Sequence, residues 1–240
     1  MNFVFSPPAQ ASVAVRGTAA RYAVSRIFCI GRNYAAHARE MGADPVRELP
    51  FFFTKSAAAL APSGAAVPYP PGTHELHHEI ELVTALGKHA FCVTPEQAAD
   101  CVWGYACGLD MTRRDLQAAA RAKSQPWSLA KDFENAAVIS PLAPASDIGH
   151  PQAGRIHLSV NGQLRQQGDL ADMIWRVPDI LSRLSHYYHL QPGDLIYTGT
   201  PEGVAPVAAG DALSGGIEGI GVIELRLLPA APAPNPCACR

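Results

Sequence analysis

The sequence predicts a mixed α/β fold that is rich in strands and carries only short flanking helices. Many short runs alternate between apolar and polar residues, which is the period of a β-strand with one buried face. The 21 Pro and 20 Gly residues that separate these runs favour many strands and loops. With 240 residues, of which 48% are hydrophobic, the chain is long enough to bury a large core.

Charge and cysteine content argue against several function classes. The formal net charge of −2 offers no electrostatic attraction to nucleic acid or to an anionic membrane. No run approaches the roughly 18 apolar residues of a membrane span, and the first residues do not resemble a secretion signal. The six Cys show neither C-x-x-C nor zinc-ligand spacing, so we interpret them as reduced thiols of a cytoplasmic protein.

The elements are predicted from local patterns along the chain. Strands are expected at 12–15, at 26–30 before Gly31, and at 50–55, where a buried strand ends in a charge. The Pro- and Gly-rich residues 61–73 predict loop or edge structure. The later elements are a short helix at 95–102, a strand at 103–109, an Ala-rich helix that starts near 112 with a capping-box pattern, a loop or short strand at 127–132, a hairpin at 156–166, an amphipathic helix at 178–188, and strands at 195–198 and 212–228.

These elements predict one catalytic domain. Residues 1–25 form a short N-terminal strand segment, residues 26–228 form the domain itself, and the Pro/Ala-rich residues 229–240 are expected to be a disordered tail. No internal repeat interrupts this division.

The clearest candidate site is a set of three carboxylates. Glu79 and Glu81 lie two positions apart in an alternating run, so in a strand both side chains point to the same face, roughly 6.5–7 Å apart along it. The following strand ends in Asp110. Two ionised carboxylates so placed repel each other unless a cation or a proton lies between them. Three oxygen donors without a nearby Cys suit Mg²⁺, Mn²⁺ or Ca²⁺ better than zinc.

Two other interpretations apply to this stretch. An amphipathic strand with a solvated Glu face would give the same alternation. The pattern His74-Glu75-Leu76-His77-His78 matches the H-E-x-x-H of zinc peptidases, which requires a helix. Four Pro and Gly residues precede the pattern and strand alternation follows it, so the chain is extended there. The first and last His would then lie roughly 13 Å apart, which is too far for one metal ion.

A second candidate pair follows the turn at Gly31. In a helix, His37 and Glu40 lie at i and i+3 and can touch. Such a pair is most often a surface ion pair, but loops at strand ends commonly carry functional residues.

Several blocks together resemble the fumarylacetoacetate hydrolase family. They occur in the family's order across roughly residues 12–228: Gly31-Arg32-Asn33-Tyr34 with His37 and Glu40, the run from His77 to Leu82, Leu109-Asp110-Met111-Thr112 with Arg114, Asp115 and Gln117, Leu129-Ala130-Lys131, Val160-Asn161-Gly162, and Thr198-Gly199-Thr200-Pro201. Residues 50–55 and 168–175 resemble the bacterial members that act on fumarylpyruvate in gentisate-type aromatic-acid catabolism.

The resemblance implies a β-roll-like catalytic domain and a set of site residues. It implies Mg²⁺ or Mn²⁺, with Ca²⁺ as a substitute in crystals, held by Glu79, Glu81 and Asp110. His37 and Glu40 would lie on a lid, with Lys131 as the third catalytic residue. The substrate-binding positions that it implies are Arg32, Tyr34, Arg114, Gln117, Gly199 and Thr200. It also implies a homodimer.

The implied reaction is metal-dependent hydrolysis of a C–C bond in a 2,4-dioxo acid, with fumarylpyruvate giving fumarate and pyruvate. Such an acid chelates a divalent ion, His37 is a natural base near neutral pH with Glu40 as its partner, and Lys131 can stabilise an oxyanion. Oxaloacetate decarboxylase or 2-hydroxyhepta-2,4-diene-1,7-dioate isomerase activity at the same metal site is the nearest alternative. A carboxylate- or metal-binding protein without turnover is the alternative from another class.

Overall fold

The computed structural model describes residues 2–36 and 49–230, and the strands of these residues form four β-sheets. The strands are β1 Ser12–Ala14, β2 Arg21–Ala23, β3 Ile27–Gly31, β4 Phe51–Lys55, β5 Leu60–Pro62, β6 Ala65–Pro68, β7 Leu76–His77, β8 Ile80–Leu86, β9 Val102–Asp110, β10 Thr112–Arg113, β11 Ala137–Ile139, β12 Ala143–Pro144, β13 Arg155–Val160, β14 Gln163–Asp169, β15 Leu195–Tyr197, β16 Pro206–Val207, β17 Ala212–Ile217 and β18 Gly221–Leu228.

The helices of the described residues are short. They are α1 Pro95–Ala99, α2 Arg114–Ala122, α3 Ser128–Lys131, α4 Ala145–Ile148 and α5 Val177–Ser185, with 3₁₀ turns at Ala57–Ala59 and Leu170–Asp172. The two longest have nine residues each. The prediction of a strand-rich α/β fold with short flanking helices is therefore confirmed. A bilayer-spanning helix, which would have to be both longer and more apolar, is absent from residues 2–36 and 49–230.

The large sheet has the strand order β4-β3-β15-β8-β9-β11-β5, and β12 pairs with β9 beside β11. A five-stranded sheet follows the order β14-β13-β17-β18-β6, and small sheets join β10-β7-β16 and β1-β2. Strand β8 therefore lies near the middle of the large sheet. All seven of its residues are buried. A solvated face on this strand, which alternation alone also allowed, is ruled out because both faces are covered.

One edge of the large sheet gathers the ends of several strands. β8 and β9 are antiparallel, with Ile80 opposite Leu109, so the start of β8 meets the end of β9. β15 runs parallel to β3 and antiparallel to β8, which brings the C-terminal ends of β15 and β3 to the same place. Residues that immediately follow or precede these ends are thus brought together from distant parts of the sequence.

Three local predictions were wrong. Residues 128–131 form helix α3 instead of a loop or strand. Helix α2 begins without a capping box, since Thr112 donates to the Asp110 carbonyl and Asp115 accepts from Thr73 and from the His74 N–H. In β4 the Phe side chains are half-buried, whereas the terminal charge, Lys55, is the buried residue. Its burial is possible because an oppositely charged partner lies beside it, as described below.

Asn33 fastens the turn after β3 to its neighbours. Its amide nitrogen donates to the carbonyls of Trp175 (2.9 Å) and Thr198 (2.8 Å), and its amide oxygen accepts from the Trp175 N–H (2.7 Å). The side chain is fully buried, so water cannot replace these partners.

We expect Asn33→Ala to lower the free energy of unfolding by about 2–4 kcal/mol, because three backbone groups lose a buried partner. Urea unfolding of the variant and the wild type measures this loss. Gln163→Ala, at an exposed position of β14, is the control. Equal stability of the two variants would show that Asn33 does not hold the turn.

Candidate metal centre

Three buried carboxylates meet where β8 begins and β9 ends. Each of Glu79, Glu81 and Asp110 offers an oxygen, and these oxygens all lie within 4.8 Å of one another. Their exposed fractions are 5%, 2% and 0%. The Asp110 N–H donates to the Glu79 carbonyl at 2.9 Å, so the strand register continues through these two residues and places them directly opposite each other. Side chains so placed are neighbours on one face of the sheet, and Glu81 lies on the same face two residues along.

Three cationic side chains surround the carboxylates. Lys131 Nζ lies 2.7 Å from Glu79 Oε2 and 2.8 Å from Asp110 Oδ2. Lys55 Nζ lies 2.8 Å from Asp110 Oδ1, an ion pair without the geometry of a directed hydrogen bond. Arg114 pairs with Glu79 Oε1. The cluster thus holds as many formal positive as negative charges.

Burial shifts the protonation of this cluster. Burial, followed by the charges of Asp110 and Glu79, raises the pKa of the Glu81 carboxyl well above its usual range. Burial alone would lower the pKa of Lys131, but the carboxylates of Asp110 and Glu79 outweigh it and raise this pKa, so the ammonium stays charged. Glu81 is therefore the carboxyl whose ionised form is least compensated by the protein.

The loop after β15 contacts the least compensated carboxyl. The Gly199 N–H donates to Glu81 Oε2 at 2.8 Å. Gly199 has a φ of +94°, and a Cβ at this position would lie 2.6 Å from the Cβ of Asn33. Both the backbone conformation and the close approach require glycine here. Glycine at this position therefore holds in place the N–H that donates to Glu81.

The hydroxyl of Thr200 is occupied by hydrogen bonds within the protein. It donates to the Ile80 carbonyl and accepts from Gln166 Nε2, both at 2.8 Å. Gln166 Oε1 in turn accepts from the Ile80 N–H at 3.1 Å and lies 2.8 Å from His78 Nδ1. These bonds tie the loop that carries Gly199 and Thr200 to the segment between the two glutamates.

A cavity of about 410 Å³ opens above the carboxylates. It is lined by both glutamates and by residues of β3, β4, helix α2 and the adjoining loops: Ile30, Gly31, Arg32, Phe51, Phe53, Arg114, Gln117, Ala118, Arg121, Ala122, Trp127, Lys131 and Thr200. Phe51 and Phe53 each meet the ring of Trp127 edge-on, at centroid distances of 5.4 and 6.2 Å. The cavity therefore combines an ionic floor with an aromatic wall.

The structure brings most of the predicted site residues together. The two glutamates, Lys131 and four of the predicted substrate-binding residues line this cavity, and Gly199 contacts Glu81. Asp110 lies beneath them. Tyr34 instead lines a second cavity, of about 300 Å³, together with Asp172 and Glu202. His37 and Glu40 lie outside the described residues. Their catalytic roles, and the binding roles of the others, stay predictions.

Sequence reasoning missed several residues of the site. Lys55 was identified only as the charged end of a strand, and its placement beside Asp110 depends on the pairing of distant strands. Gln166 lies in a polar hairpin strand that gave no signal of burial. Arg121 follows Arg114 by seven residues, so both lie on the same face of helix α2. This spacing is a signal that the sequence contains.

The donor set fits a divalent ion. The carboxylates supply hard oxygen ligands from three side chains, which is the ligand type that Mg²⁺ and Mn²⁺ prefer. A divalent ion would also compensate the charge of Glu81. The free thiols of the described chain, at Cys29, Cys92, Cys101 and Cys107, are not part of this group.

Comparison with known proteins identifies close relatives of this chain. The family model described as fumarylacetoacetate (FAA) hydrolase, C-terminal, matches residues 26–228. A fumarylpyruvate hydrolase from Ralstonia sp. is 52% identical over 183 residues, which cover 76% of this chain and 95% of the relative. The mitochondrial oxaloacetate tautomerase of Mus musculus is 44% identical over 194 residues, which cover 81% of this chain and 87% of the relative.

The fold is similar to that of a solved relative. A crystal structure of fumarylpyruvate hydrolase from Pseudomonas aeruginosa, in complex with Mn²⁺ and pyruvate, superposes with a TM-score of 0.92 and is 48% identical. The match covers 95% of this chain and 100% of that chain. Its bound Mn²⁺ agrees with the ligand preference inferred from the donor set above.

We expect Mn²⁺ to raise the melting temperature of the wild type, and we expect Asp110→Asn and Glu81→Gln to abolish this rise because each removes a charged ligand. In metal-free protein the two should differ. Asp110→Asn leaves the buried ammonium groups of Lys55 and Lys131 short of a partner and should lower the melting temperature. Glu81→Gln replaces the least compensated carboxyl with a neutral amide and should preserve or raise the melting temperature.

Thermal unfolding with and without Mn²⁺ tests both statements. Glu224→Gln, at an exposed position of β18, is the matched control. An undiminished Mn²⁺ effect in either site variant would place the metal elsewhere, and equal metal-free stability of the two variants would contradict the proposed charge balance.

Proposed function

The chain belongs to the fumarylacetoacetate hydrolase family, and we propose that it hydrolyses the C–C bond of fumarylpyruvate, a 2,4-dioxo acid, to fumarate and pyruvate. The observation that carries this proposal is the cluster of Glu79, Glu81 and Asp110 on the floor of a cavity with cationic and aromatic walls. The 52% identity to a fumarylpyruvate hydrolase over 95% of that protein supports the substrate.

Charge in the cavity supports an anionic substrate. The cations Lys55, Lys131 and Arg114 balance the three carboxylates formally, so a bound divalent ion leaves two positive charges for the ligand. The ion supplies Lewis acidity to the dioxo group of the substrate. The two carboxylates of a dicarboxylic 2,4-dioxo acid would offset this excess positive charge.

The side chains around the floor have separable roles in this proposal. Hydrolysis adds water to the 4-oxo carbon, and the C3–C4 electron pair leaves with pyruvate. Lys131 offers its positive charge to the oxyanion that forms. Arg114 and Gln117 bind the inner carboxylate of the substrate, and the rings of Phe53 and Trp127 exclude bulk water from one side.

Thr200 can contribute to substrate binding only in part. Its hydroxyl proton already goes to Ile80, and one lone pair already accepts from Gln166. Contact with the substrate therefore falls to the methyl group or the backbone of Thr200. The hydroxyl keeps its loop, and with it Gly199, at the metal ligands.

Water activation is assigned to His37 with Glu40 as its partner, on the family resemblance, and Arg32 and Tyr34 remain proposed contacts of the substrate. We further propose a cytoplasmic homodimer that acts in aromatic-acid catabolism. The free, mostly buried thiols of the described chain support a reducing compartment. The homodimer rests on the family resemblance, and light scattering would give the mass in solution.

Keto–enol tautomerisation of oxaloacetate is the second candidate function, because the oxaloacetate tautomerase from Mus musculus is 44% identical over 87% of its length. Tautomerisation moves a proton and needs no attacking water. Decarboxylation of oxaloacetate is distinguished by its products, carbon dioxide and pyruvate.

The deciding experiment gives the Mn²⁺-loaded protein fumarylpyruvate and oxaloacetate separately. Loss of enol absorbance is followed together with pyruvate release by a coupled dehydrogenase. Hydrolysis predicts fumarate and pyruvate in equal amounts from fumarylpyruvate. Loss of the oxaloacetate enol without pyruvate, and no turnover of fumarylpyruvate, would favour the tautomerase. Ligand binding without any turnover would leave a binding protein.

We expect His37→Ala to lower kcat for fumarylpyruvate about 10²- to 10⁴-fold, the usual cost of losing a general base. Pyruvate should still bind to the Mn²⁺-loaded variant, because its carboxylate and oxo group do not need His37. Steady-state assays of pyruvate release give kcat, and titration calorimetry gives the affinity for pyruvate. His89→Ala, at an exposed position, is the control. Near wild-type turnover by His37→Ala would move the base to another residue.

A further inference from the structure

One face of helix α2 forms a side of the cavity from its floor to its mouth. The lining residues of this helix are Arg114, Gln117, Ala118, Arg121 and Ala122. Their spacing of three, four, seven and eight residues from Arg114 is that of a single helical face. The helix therefore presents two guanidinium groups to one cavity, separated by small and amide side chains.

The two arginines stand at different depths. Arg114 lies at the floor, where it pairs with Glu79 and donates to Gln117. Arg121 is exposed and lies seven residues further along the helix, which is roughly 10 Å at 1.5 Å per residue. Ala118, one helical turn before Arg121, and Ala122, the next residue, also line the cavity and have short side chains.

We propose that Arg121 binds the distal carboxylate of the substrate and makes the enzyme select 2,4-dioxo acids whose acyl chain ends in a carboxylate. The inference rests on the proposed function and identifies the distal carboxylate as the group of the substrate that the outer part of the site recognises. Arg121 is a specificity-determining residue in this scheme. It does not act on the reacting carbonyl.

The dimensions agree with this assignment. In an extended seven-carbon 2,4-dioxo diacid the two carboxylate carbons lie roughly 7–8 Å apart, from standard carbon–carbon bond lengths. With one carboxylate at the floor, the other carboxylate approaches the level of the Arg121 backbone. The long side chain of Arg121 can span the remaining distance. Guanidinium groups bind carboxylates through two parallel hydrogen bonds, which favours a terminal carboxylate over any uncharged end.

The aromatic part of the cavity lining suits the chain between the two carboxylates. Phe51, Phe53 and Trp127 pack edge to face there and present an apolar surface. An unsaturated acyl chain is flat and conjugated, so it can lie against these rings. Arg32 is the third arginine of the cavity lining, but it lies over the ring of Phe51, 5.6 Å from the centroid, just after strand β3.

The test compares two substrates that differ at the distal end. Fumarylpyruvate ends in a carboxylate, and acetylpyruvate ends in a methyl group. We expect Arg121→Met to lower the ratio of kcat/KM for fumarylpyruvate to that for acetylpyruvate about 10- to 100-fold, mainly through KM, because a charge-assisted contact is lost. Arg121→Lys should restore part of the ratio because it keeps the charge.

Lys123→Met removes an exposed positive charge just beyond the same helix and is the matched control, with an unchanged ratio expected. Calorimetry on the Mn²⁺-loaded protein gives a second measure: fumarate should bind more weakly to Arg121→Met, whereas pyruvate should bind as it does to the wild type.

Two results would overturn the assignment. One is an unchanged substrate ratio in Arg121→Met, and the other is the same selective loss in Arg32→Met instead. Both presuppose a wild type that hydrolyses acylpyruvates. A wild type that hydrolyses neither substrate would refute the proposed function itself, so the two failures are distinguishable.

Discussion

The mutual repulsion of three buried carboxylates is the constraint on which this structure depends. Oxygens of Glu79, Glu81 and Asp110 lie within 4.8 Å of one another in a nearly water-free place. Such a group is stable only if positive charge lies beside it. The protein supplies Lys131 between Glu79 and Asp110, Lys55 beside Asp110 and Arg114 beside Glu79. Among the described contacts, Glu81 accepts a hydrogen bond from the Gly199 N–H and has no ion pair. The compensation is thus uneven, and the third carboxylate is where an added cation gains most.

The sheet makes this arrangement geometrically rigid. Antiparallel pairing of β8 and β9 sets Glu79 opposite Asp110, and Glu81 opposite Gly108. A Cβ on Gly108 would lie 2.5 Å from Val83 and 2.6 Å from the ring of Tyr197, so the missing side chain lets that ring pack beneath the site. The Tyr197 hydroxyl donates to the Val138 carbonyl at 3.0 Å, which ties β15 to β11 across the central strands. The carboxylates are therefore presented by a packed layer that cannot easily spread to relieve their repulsion.

The sequence predicts some of these features and not others, for physical reasons. Alternation placed Glu79 and Glu81 on one face because the strand period is local, and an apolar run delivered Asp110 at its end. Burial of both faces of β8 could not be predicted, since it depends on which strands lie on either side. Lys55 was missed for the same reason: its ion pair with Asp110 joins residues 55 positions apart. Helix α3 was missed because four residues carry too weak a local signal to distinguish a turn of helix from a loop.

The two reactions named for the relatives have a common requirement, and this explains how one floor can serve both. Cleavage of an acylpyruvate and tautomerisation of oxaloacetate each place negative charge on the oxygen of a 2-oxo acid. A divalent ion bound by Glu79, Glu81 and Asp110 would stabilise this charge. The reactions differ in whether water attacks and in how far the substrate extends beyond its first four carbons. Neither difference concerns the floor. Selection between them must come from groups further out, which among the described residues include the aromatic wall and the outer turn of helix α2 with Arg121. This architecture therefore favours an inner site that is fixed by charge balance and an outer site whose residues are free to vary.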